Sequence, residues 1–74
     1  MDRKQKLNFS TDLMRISMWM MRGQDGLVEK FVNICEEKYI IPDKYKYLYE
    51  FTKRWKEDRY RGADAASTLS RLVV

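Results

Sequence analysis

The chain has 74 residues, of which 45% are hydrophobic, 14% aromatic and 35% charged, and its formal net charge is +4. This composition excludes a disordered tail, a collagen-like chain and a disulfide scaffold. A chain this short rarely encloses both a core and a catalytic cleft, which excludes most self-contained enzymes.

The sequence offers few ways to stabilise the small core of this chain. Cys35 is the only cysteine and there is no histidine, so we expect no disulfide, no His-ligated zinc site and no Cys–His dyad. We predict no catalytic, cofactor-binding or metal-ligating residue. Small domains usually need a disulfide, a metal or a second subunit, and self-association is the option that remains. We therefore predict a homodimer.

The same features bear on location. A single unpaired cysteine is typical of a reducing compartment. The basic N-terminus has no apolar stretch after it, and no apolar run approaches the length of a membrane span. These patterns predict a cytoplasmic protein without a membrane segment.

The first third of the chain predicts one helix after a polar start. Residues 1–8 are polar and basic and are expected to form a flexible arm, with residues 9–74 as a single helical domain. Ser10 is a good N-cap, and Gly23 is a fitting left-handed C-cap. The first helix is therefore predicted to run over residues 11–22.

The rest of the sequence predicts three further helices. A second, amphipathic helix is predicted from Asp25 to near Ile40, because apolar residues recur at helical spacing before Pro42. A third is predicted over residues 44–60, ended by Gly62. A last short helix, over residues 64–72, has a composition that predicts fraying.

The first helix has an unusual distribution of apolar residues. They cover about two thirds of its circumference, and four of the five methionines of the chain lie in it. Such a helix is either the most buried one of its bundle, half of a homodimer interface, or a surface for a different protein. The predicted interface residues are Leu13, Arg15, Met18, Trp19, Met21 and Arg22. We expect the edge with Arg15, Trp19 and Arg22 to be partly exposed, because Arg and Trp are enriched in binding surfaces.

The third predicted helix allows an alternative function, the binding of nucleic acid. Aromatic and basic residues alternate between Tyr39 and Arg61, as on nucleic-acid-binding surfaces. Acidic residues spaced four apart from the bases would pair with them, which argues against a phosphate-binding track. In this alternative the basic arm and the helix Lys44–Arg61 bind nucleic acid through Arg3, Lys4, Lys6, Lys46, Lys53 and Arg54.

Together these patterns predict an all-α protein, a small bundle of three to four helices completed by self-association. Its expected function is that of a non-catalytic protein-binding adaptor or regulator acting as a helical homo-oligomer. A nucleic-acid-binding regulator is the alternative. In the third helix, we expect Tyr47, Leu48, Phe51 and Trp55 in the core, and Lys46, Lys53 and Glu57 in solvent.

Overall fold

The computed structural model describes residues 1–74. It contains four α-helices, one short 3-10 turn and no β-strand. The helices are α1 (Arg3–Arg22), α2 (Asp25–Lys38), α3 (Lys46–Lys53) and α4 (Arg59–Leu72), and the 3-10 turn is Asp43–Tyr45. The prediction of an all-α protein with three to four helices is confirmed.

Helix α1 begins earlier than the sequence predicted. Its N-cap is Asp2, whose carboxylate accepts a hydrogen bond from the backbone N–H of Gln5 at 2.8 Å. The Gln5 side chain accepts one from the backbone N–H of Asp2, which completes a capping box. The predicted start at Thr11 is therefore wrong, and residues 3–8, expected in a basic arm, form the first turns of α1. These residues are polar but include good helix formers, and polarity alone does not indicate a loose segment.

Helix α2 follows the prediction closely. It is joined to α1 at Gly23, which has a left-handed φ of 73° as expected for a C-cap. The helix begins at Asp25 and ends at Lys38, and Tyr39 already has an extended backbone. The guanidinium of Arg59 donates a hydrogen bond to Asp25 at 2.8 Å, which lowers the pKa of that carboxyl.

The third predicted helix is interrupted. Helix α3 ends at Lys53, and α4 starts at Arg59 after Asp58, whose carboxylate accepts a hydrogen bond from the backbone N–H of Arg61. Gly62 lies inside α4, so its predicted role as a helix stop is wrong. A Cβ atom at Gly62 would lie 2.8 Å from Cβ of Trp55. The glycine is therefore needed for the close approach of α4 to Trp55, and not for a turn.

Helix α4 is the main neighbour of α1, and at Arg59–Leu72 it begins earlier than the short helix predicted over residues 64–72. Two serines of α1 donate hydrogen bonds to carbonyl oxygens of α4: Ser10 to Ser70 at 2.7 Å and Ser17 to Ala63 at 2.8 Å. This order makes the two helices antiparallel. Ala63, Ser70 and Ala66 are buried, so small side chains allow the close contact. Ser10, the expected N-cap, therefore joins two helices instead.

The core is built mostly from one face of α1. Large side chains with no exposed surface are contributed by α1 (Phe9, Leu13, Ile16, Met20), by α2 (Val28) and by α4 (Leu69). Two buried tyrosines complete it, and both hydroxyls are satisfied. Tyr39 donates to Asp12 at 2.8 Å, and Tyr49 donates to the carbonyl oxygen of Val32 at 2.7 Å.

The predicted core face of the third helix is only partly correct. Trp55 is buried, Leu48 and Phe51 are half-buried, and Tyr47 is 62% exposed. Tyr49 and Thr52 take the buried positions instead. The reason is the break after Lys53, because Trp55 lies beyond the end of α3 and does not continue its face.

The expected solvent face of this segment is also partly correct. Lys46 and Glu57 are exposed as predicted. Lys53 is half-buried, and its ammonium group donates to Glu36 on α2 at 2.9 Å. This hydrogen bond raises the pKa of Lys53.

Candidate protein-binding surface

The face of α1 that points away from the core carries a row of exposed apolar side chains. Leu7 is 51% exposed, Met14 44%, Met18 45% and Met21 54%. Three of these residues are seven positions apart, and Met18 lies between the last two, so all four share one face of the helix. We call Leu7, Met14, Met18 and Met21 the outer stripe.

The outer stripe is opposite the residues that α1 contributes to the core. At about 100° of rotation per residue, the stripe and the buried set centred on Ile16 lie on opposite sides of the helix. Helix α1 is thus apolar on two faces, and only one is covered by its own chain. This explains the broad apolar circumference seen in the sequence.

The two edges of the outer stripe differ. On one edge Ser10 and Ser17 are bonded to α4. On the other edge Arg15 and Arg22 each follow a methionine of the stripe, and both are exposed. Arg15 lies 3.8 Å from the carboxylate of Asp12, and no acidic side chain lies within 4.0 Å of Arg22. The stripe therefore has a positively charged border.

Trp19 lies on the side of α1 that faces α2. It is half-buried, and its ring centroid is 4.9 Å from that of Phe31. The edge formed by Arg15, Trp19 and Arg22 is partly exposed, as expected, and its contact with a partner or a second subunit stays a prediction. The indole packs inside the protomer on one side and remains open on the other.

One predicted interface residue is placed elsewhere. Leu13 has no exposed surface and belongs to the core, so its prediction as an interface residue is wrong. Arg15, Met18, Met21 and Arg22 are exposed. The helical spacing of the apolar residues did not separate the two faces, because both are apolar.

The structure adds Leu7 and Met14 to this surface. Leu7 was missed because it falls in the segment predicted to be an arm. A sufficient signal was present, since Leu7, Met14 and Met21 follow each other at intervals of seven residues.

The residues of the nucleic-acid alternative do not form one surface of free cations. Those in the third predicted helix are ion-paired: Lys46 with Asp43 at 2.9 Å, Lys53 with Glu36 at 2.9 Å, and Arg54 with Glu57 at 3.6 Å. Arg3, Lys4 and Lys6, in the first turns of α1, have no acidic side chain within 4.0 Å.

A small polar cluster lies between α1 and the end of α2. Asp12 is buried, accepts the hydroxyl of Tyr39 and lies 4.0 Å from the ammonium group of Lys38. Cys35 is nearby and fully buried, and burial raises the pKa of its thiol to about 12. A thiol in this state is protonated at neutral pH and is a poor nucleophile. The cluster is satisfied within the fold, which is typical of a structural role.

Two further features concern metal ions and membranes. No group of three or more Cys, Asp or Glu side chains is placed to hold a metal ion. No helix combines the length and the apolar character needed to cross a membrane. Comparison with protein-family models, with curated proteins and with solved structures gives no match for this chain.

Proposed function

We propose that this chain is a small non-catalytic protein-binding module, an adaptor or regulator, and that it binds through the outer stripe of α1. The observation that supports the proposal most is the exposure of Leu7, Met14, Met18 and Met21 on a single helix face. Isolated exposed apolar residues are ordinary, but several of them on one helix face with a polar border are typical of a binding surface.

The residue types agree with this role. Methionine is flexible and polarizable, so a surface rich in it can adapt to the shape of a partner. Arginine beside an apolar patch is enriched in protein interfaces. The homodimer expected from the sequence would use the same surface and stays a prediction, which the measurement of self-association below tests.

The test compares a charge inside the stripe with the same charge elsewhere. Met18→Glu places a carboxylate in the middle of the outer stripe, and Asn33→Glu places one at an exposed position of α2. Self-association is measured by sedimentation velocity across micromolar concentrations, and the proteins retained from a lysate by each immobilised variant are compared. We expect Met18→Glu to lose an association that Asn33→Glu keeps. A wild-type monomer that retains the same proteins as Met18→Glu would contradict the proposal.

Nucleic-acid binding is the second candidate, supported by the unpaired cations Arg3, Lys4 and Lys6. Lys6 also lies with Lys44 along a shallow cleft at this end of the molecule. In this candidate, replacing the three cations by Ala weakens binding to a single-stranded oligonucleotide and makes its salt dependence shallower. Replacing the ion-paired Lys53 and Arg54 serves as the comparison and has a smaller effect.

A further inference from the structure

The outer stripe has the register of a coiled-coil seam. Leu7, Met14 and Met21 repeat every seven residues at one seam position. The second seam position is occupied by Lys4, Thr11 and Met18, so it is apolar only in the last heptad. From Leu7 to Met21 the stripe is about 21 Å long at 1.5 Å per residue. Its length and shape match the apolar face of one other amphipathic helix, which is a common mode of recognition.

The charges beside this seam have one sign. Arg15 and Arg22 border it near the middle and at the C-terminal end, and Lys4 lies in line with it at the N-terminal end. The only carboxylate within α1 is that of Asp12, which is buried. A helix lying along the outer stripe therefore meets a row of cations with no exposed acid of α1 among them.

A second copy of α1 fits this surface poorly. In a two-fold symmetric dimer, the same face meets itself. An antiparallel pair brings the two copies of Arg15 together, and a parallel pair brings the two copies of Lys4 together. Both arrangements place like charges next to each other.

Other faces of a second copy offer few free acidic groups. In α2, Asp25 is bonded to Arg59 at 2.8 Å, Glu36 to Lys53 at 2.9 Å, and Glu29 lies 3.7 Å from Lys56. Within the α-helices, the exposed acids without a cation within 4.0 Å are Glu37 on α2 and Asp64 on α4. No α-helix of the chain therefore presents a row of free carboxylates to the cations of the outer stripe.

We infer that the outer stripe binds an amphipathic helix of another protein, with acidic residues at the positions that flank its apolar face. The inference rests on the proposed function, and charge complementarity with Arg15, Arg22 and Lys4 selects this occupant. Such complementarity affects partner choice more than affinity, so the apolar contacts hold the helix while the arginines select it.

Two synthetic helical peptides of equal length test the inference. Both peptides carry leucine at the two seam positions of each heptad. At the four positions that border the seam, two on each side, one peptide has glutamate and the other has lysine. Their dissociation constants for the full chain are measured by fluorescence anisotropy at low and high salt. We expect the glutamate peptide to bind about tenfold more tightly at low salt, and the difference to shrink at high salt.

Two double variants isolate the role of charge. Arg15→Gln with Arg22→Gln removes two of the three cations along the seam, and the preference for the glutamate peptide should fall to the small part that Lys4 supplies. Lys30→Gln with Lys44→Gln changes the net charge equally at two exposed residues outside α1, and the preference should remain. Met18→Glu should weaken the binding of both peptides.

Three other outcomes would overturn the inference, and each shows whether the proposed function also fails. Equal binding of both peptides, still lost in Met18→Glu, refutes the acidic partner but leaves the proposed function standing. If neither peptide binds and Met18→Glu dissociates a wild-type dimer, the occupant is a second copy. If neither peptide binds and the wild type is a monomer, both the inference and the use of the outer stripe for helix binding are wrong.

Discussion

The two faces of α1 have similar side chains and opposite environments. Met20 on the inner face is fully buried, whereas Met18 and Met21 on the outer face are 45% and 54% exposed. The inner face is matched by α4, whose Gly62 and Ala63 leave room for it, and no element of the chain covers the outer face. The difference shows that apolar residues within one helix need not all belong to the core: those of the inner face stabilise the fold, and those of the outer face are the ones we propose for binding.

The largest loss of stability is expected at Trp55, the residue on which α4 packs. Trp55 is buried against Gly62, and Trp55→Ala removes a large side chain from a small core. We expect a loss of about 3–5 kcal/mol, which is comparable to the whole stability of such a domain. Circular dichroism and urea unfolding should show an unfolded chain. A cooperatively folded variant would show that α4 does not depend on Trp55.

The next largest loss of stability is expected at a residue of the inner face itself. Met20→Ala leaves a cavity at a site with no exposed surface, and we expect the free energy of unfolding to fall by about 2–5 kcal/mol. The measurement is urea unfolding followed by circular dichroism. A change below about 0.5 kcal/mol, the size expected at a surface site, would mean that the inner face is not packed as described.

Gly62→Ala tests how closely α4 approaches. The added methyl group would lie 2.8 Å from Cβ and 2.9 Å from Cα of Trp55, so backbone atoms have to shift. Overpacking costs about 1–3 kcal/mol and outweighs the gain in helix propensity of up to about 1 kcal/mol. The thermal unfolding midpoint should therefore fall.

Gly26 provides a matched control for this substitution. It also lies in a helix, and apart from the backbone of its own turn a Cβ atom there would have no heavy atom within 4 Å. Gly26→Ala should therefore raise the thermal midpoint slightly. If both variants are stabilised, the close packing of α4 on Trp55 is not real.

The smallest effect is expected on the outer face. Met18→Ala removes an exposed side chain, so the free energy of unfolding should change by no more than about 0.5 kcal/mol. Urea unfolding of Met18→Ala and of Met20→Ala, measured side by side, compares the same substitution on the two faces of one helix. A loss at Met18 as large as that at Met20 would mean that the outer face stabilises the protomer.

The sequence was informative where a local pattern determines the structure. The apolar spacing and the left-handed Gly23 predicted α2 and the end of α1, because these depend on residues close in the chain. The break after Lys53 has no glycine or proline to mark it, although Asp58 is a good N-cap for the helix that follows. The role of Gly62 depends on its contact with Trp55, which no local pattern reveals. The apolar residues of α1 predicted a surface beyond the core, but only the packing of α4 showed that Leu13 is inside and Met14 outside.

The central claim is that the outer stripe binds a helix while the inner face does not take part. Methionine methyl NMR measures this most directly, since Met14, Met18, Met20 and Met21 lie on one helix. On addition of the glutamate-flanked peptide, the methyl resonances of Met14, Met18 and Met21 should shift and broaden, and that of Met20 should stay in place. Shifts at Met20, or at other residues while the three outer methionines remain unchanged, would contradict the account.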